Sequence, residues 1–334
     1  MDDQTSTLIL TRDDLAALMR PADYLQAVEA GFRALGVGEA VSPAPLHLPF
    51  PHGGLHAKGA VWRAPGMAAV KVNANVPDNP ALRGLPTIQG AVLLVDTQSG
   101  RLLAILDSVE ITLGRTAAAS ALAARLLARP DAETLAVCGC GAQALPHVLA
   151  LREVLQLRRV RLHDLDPARA EALAQRLEQR ADLEVRALDR LEDATREAEV
   201  IVTCTTARSP FLDLAHVSPG AFIAAVGTDA PDKHEITPRL MAHARVVADV
   251  LDQALAMGDL RHAVAAGAMD AGDVHAELAD LVCGRAQGRA HPSEIWLFDS
   301  TGSGVQDVAA AGVAHARALA AGKGMSVRLA GSEP

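Results

Sequence analysis

The feature that most constrains the fold is an alternation. From Thr134 onward, short apolar runs trade places with runs of helical character. TLAVCG reads as a strand and AQALPHVLALREVLQL as a helix. RRVRLHD is the next strand, and PARAEALAQRLEQR the next helix, opening on Pro167 where proline is tolerated. EVRAL, EVIVTCT, GAFIAAVGTD, ARVVADV and EIWLFDS are further strands. Strands that are apolar throughout are buried on both faces, and the helices between them serve as crossovers. The pattern predicts an α/β, doubly wound parallel sheet. The core must be built mainly from Ala, Leu and Val, because 50% of residues are hydrophobic but only 2% aromatic.

A chain of 334 residues also has room for a second domain. Residues 43–107 are rich in Pro, Gly and short β-like runs, among them MAAVKVNANV and GAVLLVDTQSGRLLAIL, the second with a TQSG turn between two strands. Residues 115–129, RTAAASALAARLLAR, lack Gly and Pro and predict a buried helix ending before Pro130. GVQDVAAAGVAHARALAAG predicts a last helix that returns to the first domain. The expected division is 1–118 with 305–334 for one domain and 119–304 for the other. The strands of 43–107 are too few to close a sheet, and an exposed edge invites pairing with a second copy.

A net charge of −9 argues against a nucleic-acid partner. No apolar run reaches the roughly 18 residues that span a membrane. MDDQTSTLIL is acidic and lacks a basic start, so no leader peptide is expected. Four cysteines do not make a disulfide framework, and a reduced cytoplasmic setting follows.

LAVCGCGAQA joins the first strand of the alternation to its first helix. The pattern Gly139-x-Gly141-x-x-Ala144 in that context points to dinucleotide binding. Gly139 allows the tight turn, Gly141 a close approach to a pyrophosphate, and Ala144 close helix–strand packing. The helix N-terminus adds free N–H groups. The next strand ends at Asp164, about 25 residues beyond Gly139, where an acidic residue binds ribose hydroxyls and repels a 2′-phosphate. That favours NAD(H) over NADP(H). Asp164 can instead cap the next helix, although Asp166 fits that role better. Cys138 and Cys140 have no second ligand pair at zinc spacing, and Cys204 and Cys283 stand alone, so no metal site is expected.

Three polar groups stand in apolar surroundings. Lys71 lies mid-strand among Val and Ala, where it meets an anion or snorkels from an edge. Arg115 and Thr116 open the predicted 115–129 helix. The arginine can clamp a carboxylate or form a surface salt bridge, and the threonine can cap the helix or touch a phosphate. Asp229 follows the GAFIAAVGTD strand at the carboxyl edge of the sheet, as an acid/base at a C–N centre or as a turn residue.

VKVNANVPDN, GLPTIQG, DSVEITLGRTAAASALAARLLAR, CGCGAQA, VIVTCT, PGAFIAAVGTDAPDKHE and FDSTGSGVQD run in this order from about residue 68 to 308. In these segments the chain resembles the ornithine cyclodeaminase/mu-crystallin family. The resemblance implies a dimer in which an NAD(P)-binding Rossmann domain is paired with a discontinuous α+β substrate and dimerisation domain. It implies hydride transfer between nicotinamide and the α-carbon of a small amino or imino acid. It also implies that Lys71 and Arg115 hold the substrate carboxylate, that Asp229 is the acid/base, and that Thr116 and Ser300 line the nicotinamide end. Thr87, Gly139, Gly141, Ala142, Gln143, Asp164, Thr203, Thr205 and Val226 are the further cofactor positions it implies.

The chain departs from ornithine cyclodeaminase at two points. An arginine of that enzyme falls near PAPLHLP here, and a glutamate of its ornithine chemistry falls at His56. His47, His56 and Lys58 are the nearby polar groups. His56 and Lys58 are two residues apart on a predicted strand and share a face, as substrate-binding groups against a carboxylate or imino acid or as a solvated surface. The expected function is an NAD(P)H-dependent reductase of α-imino acids, NADH being favoured, with a Δ1-pyrroline-2-carboxylate type of cyclic imine as leading substrate, and an amino acid dehydrogenase in reverse. Cyclodeamination of ornithine and cofactor-loaded ligand binding without catalysis are the alternatives.

Overall fold

The computed structural model describes residues 6–179 and 182–329. The acidic start MDDQT, part of the ground for expecting no leader peptide, and Arg180 at the end of the second predicted helix lie outside the described residues. Among the described residues, no helix is long and apolar enough to cross a membrane. The chain divides into two compact units, Met1–Arg115 with Ser303–Pro334, and Thr116–Gly302.

The first unit holds a mixed sheet. Its strands are β1 (Thr7–Leu10), β2 (Ala40–Val41), β3 (Leu46–Phe50), β4 (Gly53–Trp62), β5 (Met67–Asn75), β6 (Ile88–Asp96), β7 (Leu102–Asp107) and β16 (Met325–Val327). They run in the order β16-β1-β7-β6-β5-β4-β2, with β3 also paired to β4. The sheet is therefore larger than the strands of 43–107, because β1 and β16 extend it from the two ends of the chain. Only the β1–β7 pair is parallel among these pairings. The TQSG turn closes β6 onto β7 through Gly100 N–H, which donates to Asp96 O at 2.9 Å.

Strand periodicity of two sorts this sheet into faces. Ala60, Ala69, Val92, Leu94, Ala104 and Leu106 are buried on one face, and the helix Gly304–Ala321 packs there against β4 and β5. That helix also lies along the helix Pro21–Gly36, as its composition predicts for a buried element. On the other face Val61 and Val70 remain 42% and 43% exposed.

The helix predicted over 115–129 runs from Ser108 to Leu127 instead. Val109, Ile111, Thr112 and Gly114 are poor helix formers, which hides the start. Two things compensate. Asp107 Oδ1 accepts the Glu110 N–H at 2.7 Å and satisfies the first turn, and Ile111 is fully buried. Arg115 and Thr116 consequently sit inside the helix rather than in its first turn. Thr116 therefore does not cap the helix.

The second unit is an all-parallel sheet. Its strands are β8 (Thr134–Cys138), β9 (Arg159–His163), β10 (Glu184–Ala187), β11 (Val200–Thr203), β12 (Phe222–Ala225), β13 (Arg245–Ala248), β14 (Ala276–Glu277) and β15 (Trp296–Asp299). The order is β10-β9-β8-β11-β12-β15-β13-β14. All residues of β8, β11, β12 and β15 are buried, as continuous apolar runs require. The chain winds outward from β8 through β9 to β10, then returns to β11 on the other side of β8. That reversal is the switch point where ligands bind at the carboxyl ends of such strands. Trp296 is 1% exposed on β15, with His275 edge-on at 4.9 Å and the Arg245 guanidinium 5.8 Å from its ring centre.

Candidate active site

At the switch point, Gly139 leaves β8 with φ of 98°, a conformation side chains rarely adopt. A Cβ there would stand 2.7 Å from Thr205 Cγ2. Nothing lies within 4 Å of where a Cβ of Gly141 would stand. The helix Ala144–Arg152 starts directly beyond, with no side chain spent on its N-terminus. These features open on a cavity of about 760 Å³ lined by Gly139, Gly141, Asp164, Arg169, Thr205 and Phe211, among others. An open glycine turn, a free helix N-terminus and a cavity of this size fit a dinucleotide.

Asp164 lines the cavity but is also part of the frame. Its Oδ2 accepts the Cys140 N–H at 2.7 Å, and its Oδ1 accepts the Asp166 N–H at 2.9 Å. A carboxylate has about four acceptor positions, so both oxygens retain capacity for ribose hydroxyls. Asp166 is the helix cap, taking the Ala168 N–H at 3.1 Å. His163 holds Leu188 O through Nδ1 at 3.1 Å.

Thr203 and Thr205 converge on a residue that sequence reasoning missed. Glu235 Oε1 accepts the Thr205 N–H and the Thr205 hydroxyl, both at 2.7 Å. Its Oε2 accepts the Thr203 hydroxyl at 2.7 Å and the Gly227 N–H at 2.8 Å. Thr203 is fully buried, so it supports the cavity wall rather than lining it. Val226 N–H donates to Thr203 O at 2.9 Å, tying β12 to β11 at the same level. Asp259 continues the network, accepting the Thr228 hydroxyl and the Glu235 N–H, each at 2.8 Å. Burial first, then the charge of Asp259, raises the Glu235 carboxyl to about 7. Two backbone N–H groups point at it and can only donate, which favours the anion. Glu235 was legible only as part of DKHEI, with no periodicity to mark it.

Ala142 is exposed in the glycine turn. Gln143 Oε1, Thr116 Oγ1 and Ser300 Oγ are buried atoms without hydrogen-bond partners among the described residues. Thr87, in the first unit, precedes β6 and accepts the Val76 N–H at 2.9 Å. Asp229 lies four residues past the end of β12, half exposed, with the Lys233 ammonium on its Oδ1.

In the first unit, Lys71 is brought to Arg115 by a carboxylate. Lys71 Nζ lies 2.9 Å from Asp307 Oδ1, and Arg115 Nε lies 3.0 Å from the same oxygen. Arg115 Nη1 donates to Gln306 Oε1 at 3.0 Å, and Lys71 Nζ donates to Thr112 Oγ1 at 3.2 Å. Lys71, Arg115, Gln306 and Asp307 are all buried. Asp307 Oδ2 and Gln306 Nε2 have no partner among the described residues. Burial, and next the charge of Arg115, pushes the Lys71 ammonium down to about 7, with Asp307 opposing the shift. Burial pushes the Asp307 carboxyl up, but Lys71 and Arg115 outweigh it and hold it below the usual carboxylate range. Lys58 faces Lys71 directly across β4–β5. His56 faces His47 across β3–β4, their rings stacked at 4.3 Å. Asp307 and Gln306 were missed by sequence reasoning. The available signal was a carboxylate on an Ala-rich helix, which is costly to bury without cations.

A parallel sheet with a glycine turn at its switch point, in a chain whose other unit buries two cations around one carboxylate, defines a dinucleotide-dependent enzyme of small anionic substrates. The chain belongs to the ornithine cyclodeaminase/mu-crystallin family, whose model matches residues 5–322. Three solved structures are similar over nearly the whole chain. An archaeal alanine dehydrogenase, a dimer with bound NAD, is 34% identical with a TM-score of 0.93, covering 97% of this chain and 99% of that one. The Thermococcus litoralis Δ1-pyrroline-2-carboxylate reductase, with NADH and L-proline, is 30% identical with a TM-score of 0.93, covering 96% and 100%. The Paracoccus denitrificans iminosuccinate reductase, with NAD+, is 31% identical with a TM-score of 0.89, covering 97% and 100%.

Proposed function

We propose that the chain is an NAD(H)-dependent reductase of α-imino acids that runs in reverse as an amino acid dehydrogenase. The observation that carries this reading is the buried Lys71–Asp307–Arg115 group. Two cations share one carboxylate, so the group keeps a positive charge for a substrate carboxylate. Asp307 fixes both cations and lowers the cost of holding them out of water. Three relatives that act on amino or imino acids with NAD or NADH support the reading.

The roles follow. Lys71 and Arg115 hold the α-carboxylate, Lys58 and His56 face the rest of the substrate, and Asp229 delivers or removes the proton on nitrogen. Gly139, Gly141, Ala142, Gln143, Asp164 and Thr205 hold the dinucleotide, with Thr87, Thr116, Val226 and Ser300 assigned to its nicotinamide side and Thr203 supporting Thr205. The nicotinamide supplies the hydride: imine, NADH and a proton give amine and NAD+. A homodimer through the first unit is the assembly this reading favours, since Val61 and Val70 stay exposed on an apolar sheet face. A reduced, cytoplasmic setting fits the four free cysteines.

The test is to follow NADH and ammonia together with a panel of imines and amino acids. Stoichiometric NADH loss with an imine supports reduction. Ammonia release from ornithine without net NADH change would replace this reading with cyclodeamination.

A further inference from the structure

We propose that the substrate carries a second carboxylate, bound by Lys58, His56 and His47, so that the substrate class is a short α-imino dicarboxylic acid. This rests on the imino-acid reading above and narrows it.

The first support is register. Lys58 pairs with Lys71 and His56 with Asn73 across β4–β5, while His47 pairs with His56 across β3–β4. Directly opposed residues share a face, and so do residues two apart on a strand. All five therefore stand on the face that buries Ala60 and Ala69. The row runs from the buried Lys71 through the half-buried Lys58 and His56 to the exposed His47. One two-residue step along the strand is about 6.6 Å. Side chains separated by that step can converge on the two ends of one small diacid.

Charge is the second support. Lys58, Lys71 and Arg115 act on one carboxylate, Asp307, and the charge of Lys58 reaches both Lys71 and Asp307. A second carboxylate on the substrate would stand in the field that these cations share.

Third, the polar face is cleared for contact. A Cβ on Gly90 would stand 2.4 Å from Asn73 Oδ1, and one on Gly54 would stand 2.6 Å from His47 Nε2. Two glycines thus leave room for these two side chains. Gln306 Nε2, a buried donor, and the Asn73 amide oxygen have no partner among the described residues. A flip of the Asn73 amide would present a donor there to an anion. In the reaction the hydride pair goes to C2, the C=N π pair takes a proton at nitrogen, NADH is oxidised to NAD+, and neither carboxylate changes.

The experiment compares NADH oxidation on oxaloacetate plus ammonium, pyruvate plus ammonium, and Δ1-pyrroline-2-carboxylate. The diacid imine is expected to give the highest kcat/KM, by about 10-fold or more. Losing one charge-assisted hydrogen bond changes an equilibrium by roughly 10- to 150-fold. Lys58→Met and His56→Gln should therefore cut the diacid-to-monoacid ratio of kcat/KM by about that factor. Succinate should inhibit the unmodified enzyme more strongly than propionate, a check that needs no variant. Preference for pyruvate imine or the cyclic imine, with succinate no better than propionate, overturns the inference and leaves the imino-acid reading standing. A preserved ratio in both variants overturns the assignment of these residues. No turnover of any imine overturns both readings.

Discussion

Lys71 and Asp307 are 236 residues apart in sequence, and their charged atoms lie 2.9 Å apart in the interior of one unit. The carboxylate is what allows Lys71 to carry charge there at all. Asp307→Asn removes the group that pushes the Lys71 ammonium up, while burial and Arg115 continue to push it down. Breaking a buried ion pair at one partner costs about 3–5 kcal/mol. The variant should melt well below the parent, and its KM for imino acid should rise more than its kcat falls. An unchanged melting temperature would show that the cations do not depend on Asp307.

Lys71 sets a pH dependence. With its folded value near 7 and its ordinary value at 10.5, the unfolded chain binds more protons between these limits. This lysine therefore opposes folding below pH 7, and the penalty is relieved as pH rises toward 10.5. Substrate binding runs the other way, because only the ammonium attracts a carboxylate. In the free enzyme kcat/KM should fall as pH rises through about 7. Lys71→Met should remove that limb along with most of the activity, and a limb that survives in the residual rate assigns it to another group.

Arg115 offers Nε to Asp307 and Nη1 to Gln306, a planar fork that lysine does not reproduce. Arg115→Lys keeps the charge and loses one geometry. The expected loss in kcat/KM is roughly 10- to 150-fold, mostly in KM, with little change in NADH affinity. Equal losses in substrate and NADH binding, measured by titration, would mean that the helix had moved instead.

Asp229→Asn tests the proton step. The two side chains are nearly isosteric, so substrate should bind while kcat falls by about 10²–10⁴. The parent ion pair with Lys233 is exposed enough that its loss should barely alter stability. Wild-type kcat, with the chemical step shown to be rate-limiting by a deuterated cofactor, would reduce Asp229 to a turn residue and make His56 the next candidate.

The cofactor prediction separates two carboxylates. Asp164 should favour NADH over NADPH by repelling a 2′-phosphate. Glu235→Gln should weaken both cofactors alike, since it loosens the Thr205 and Gly227 backbone without touching the ribose. A clear NADPH preference in the parent would reassign the position, with His163 the neighbour able to meet the phosphate.

The Rossmann sheet was readable because its signal is local. β8, β11, β12 and β15 are unbroken apolar runs, and the glycine turn sits between one of them and a helix. β1 and β16 were missed because runs of four and three residues are too short to show a period, and only pairing with strands far along the chain makes them strands. The start of the Ser108–Leu127 helix was hidden by the β-branched Val109, Ile111 and Thr112, whose weak propensity is offset by the burial of Ile111 and by the Asp107 cap. Lys71 and Arg115 were conspicuous as cations among apolar neighbours. Asp307, Gln306 and Glu235 were not, because each has its meaning through a partner on another element.

Trp296 has a practical consequence. The chain has two tryptophans and one tyrosine, so its near-ultraviolet signal comes almost entirely from two indoles. Trp296 sits on β15 of the second unit, sealed beneath His275 and Arg245, and Trp62 ends β4 in the first unit. Each unit therefore carries its own optical reporter. Replacing either tryptophan with phenylalanine would leave a molecule whose emission follows one unit alone, so that denaturant titration can show whether the two lose their structure together or in turn.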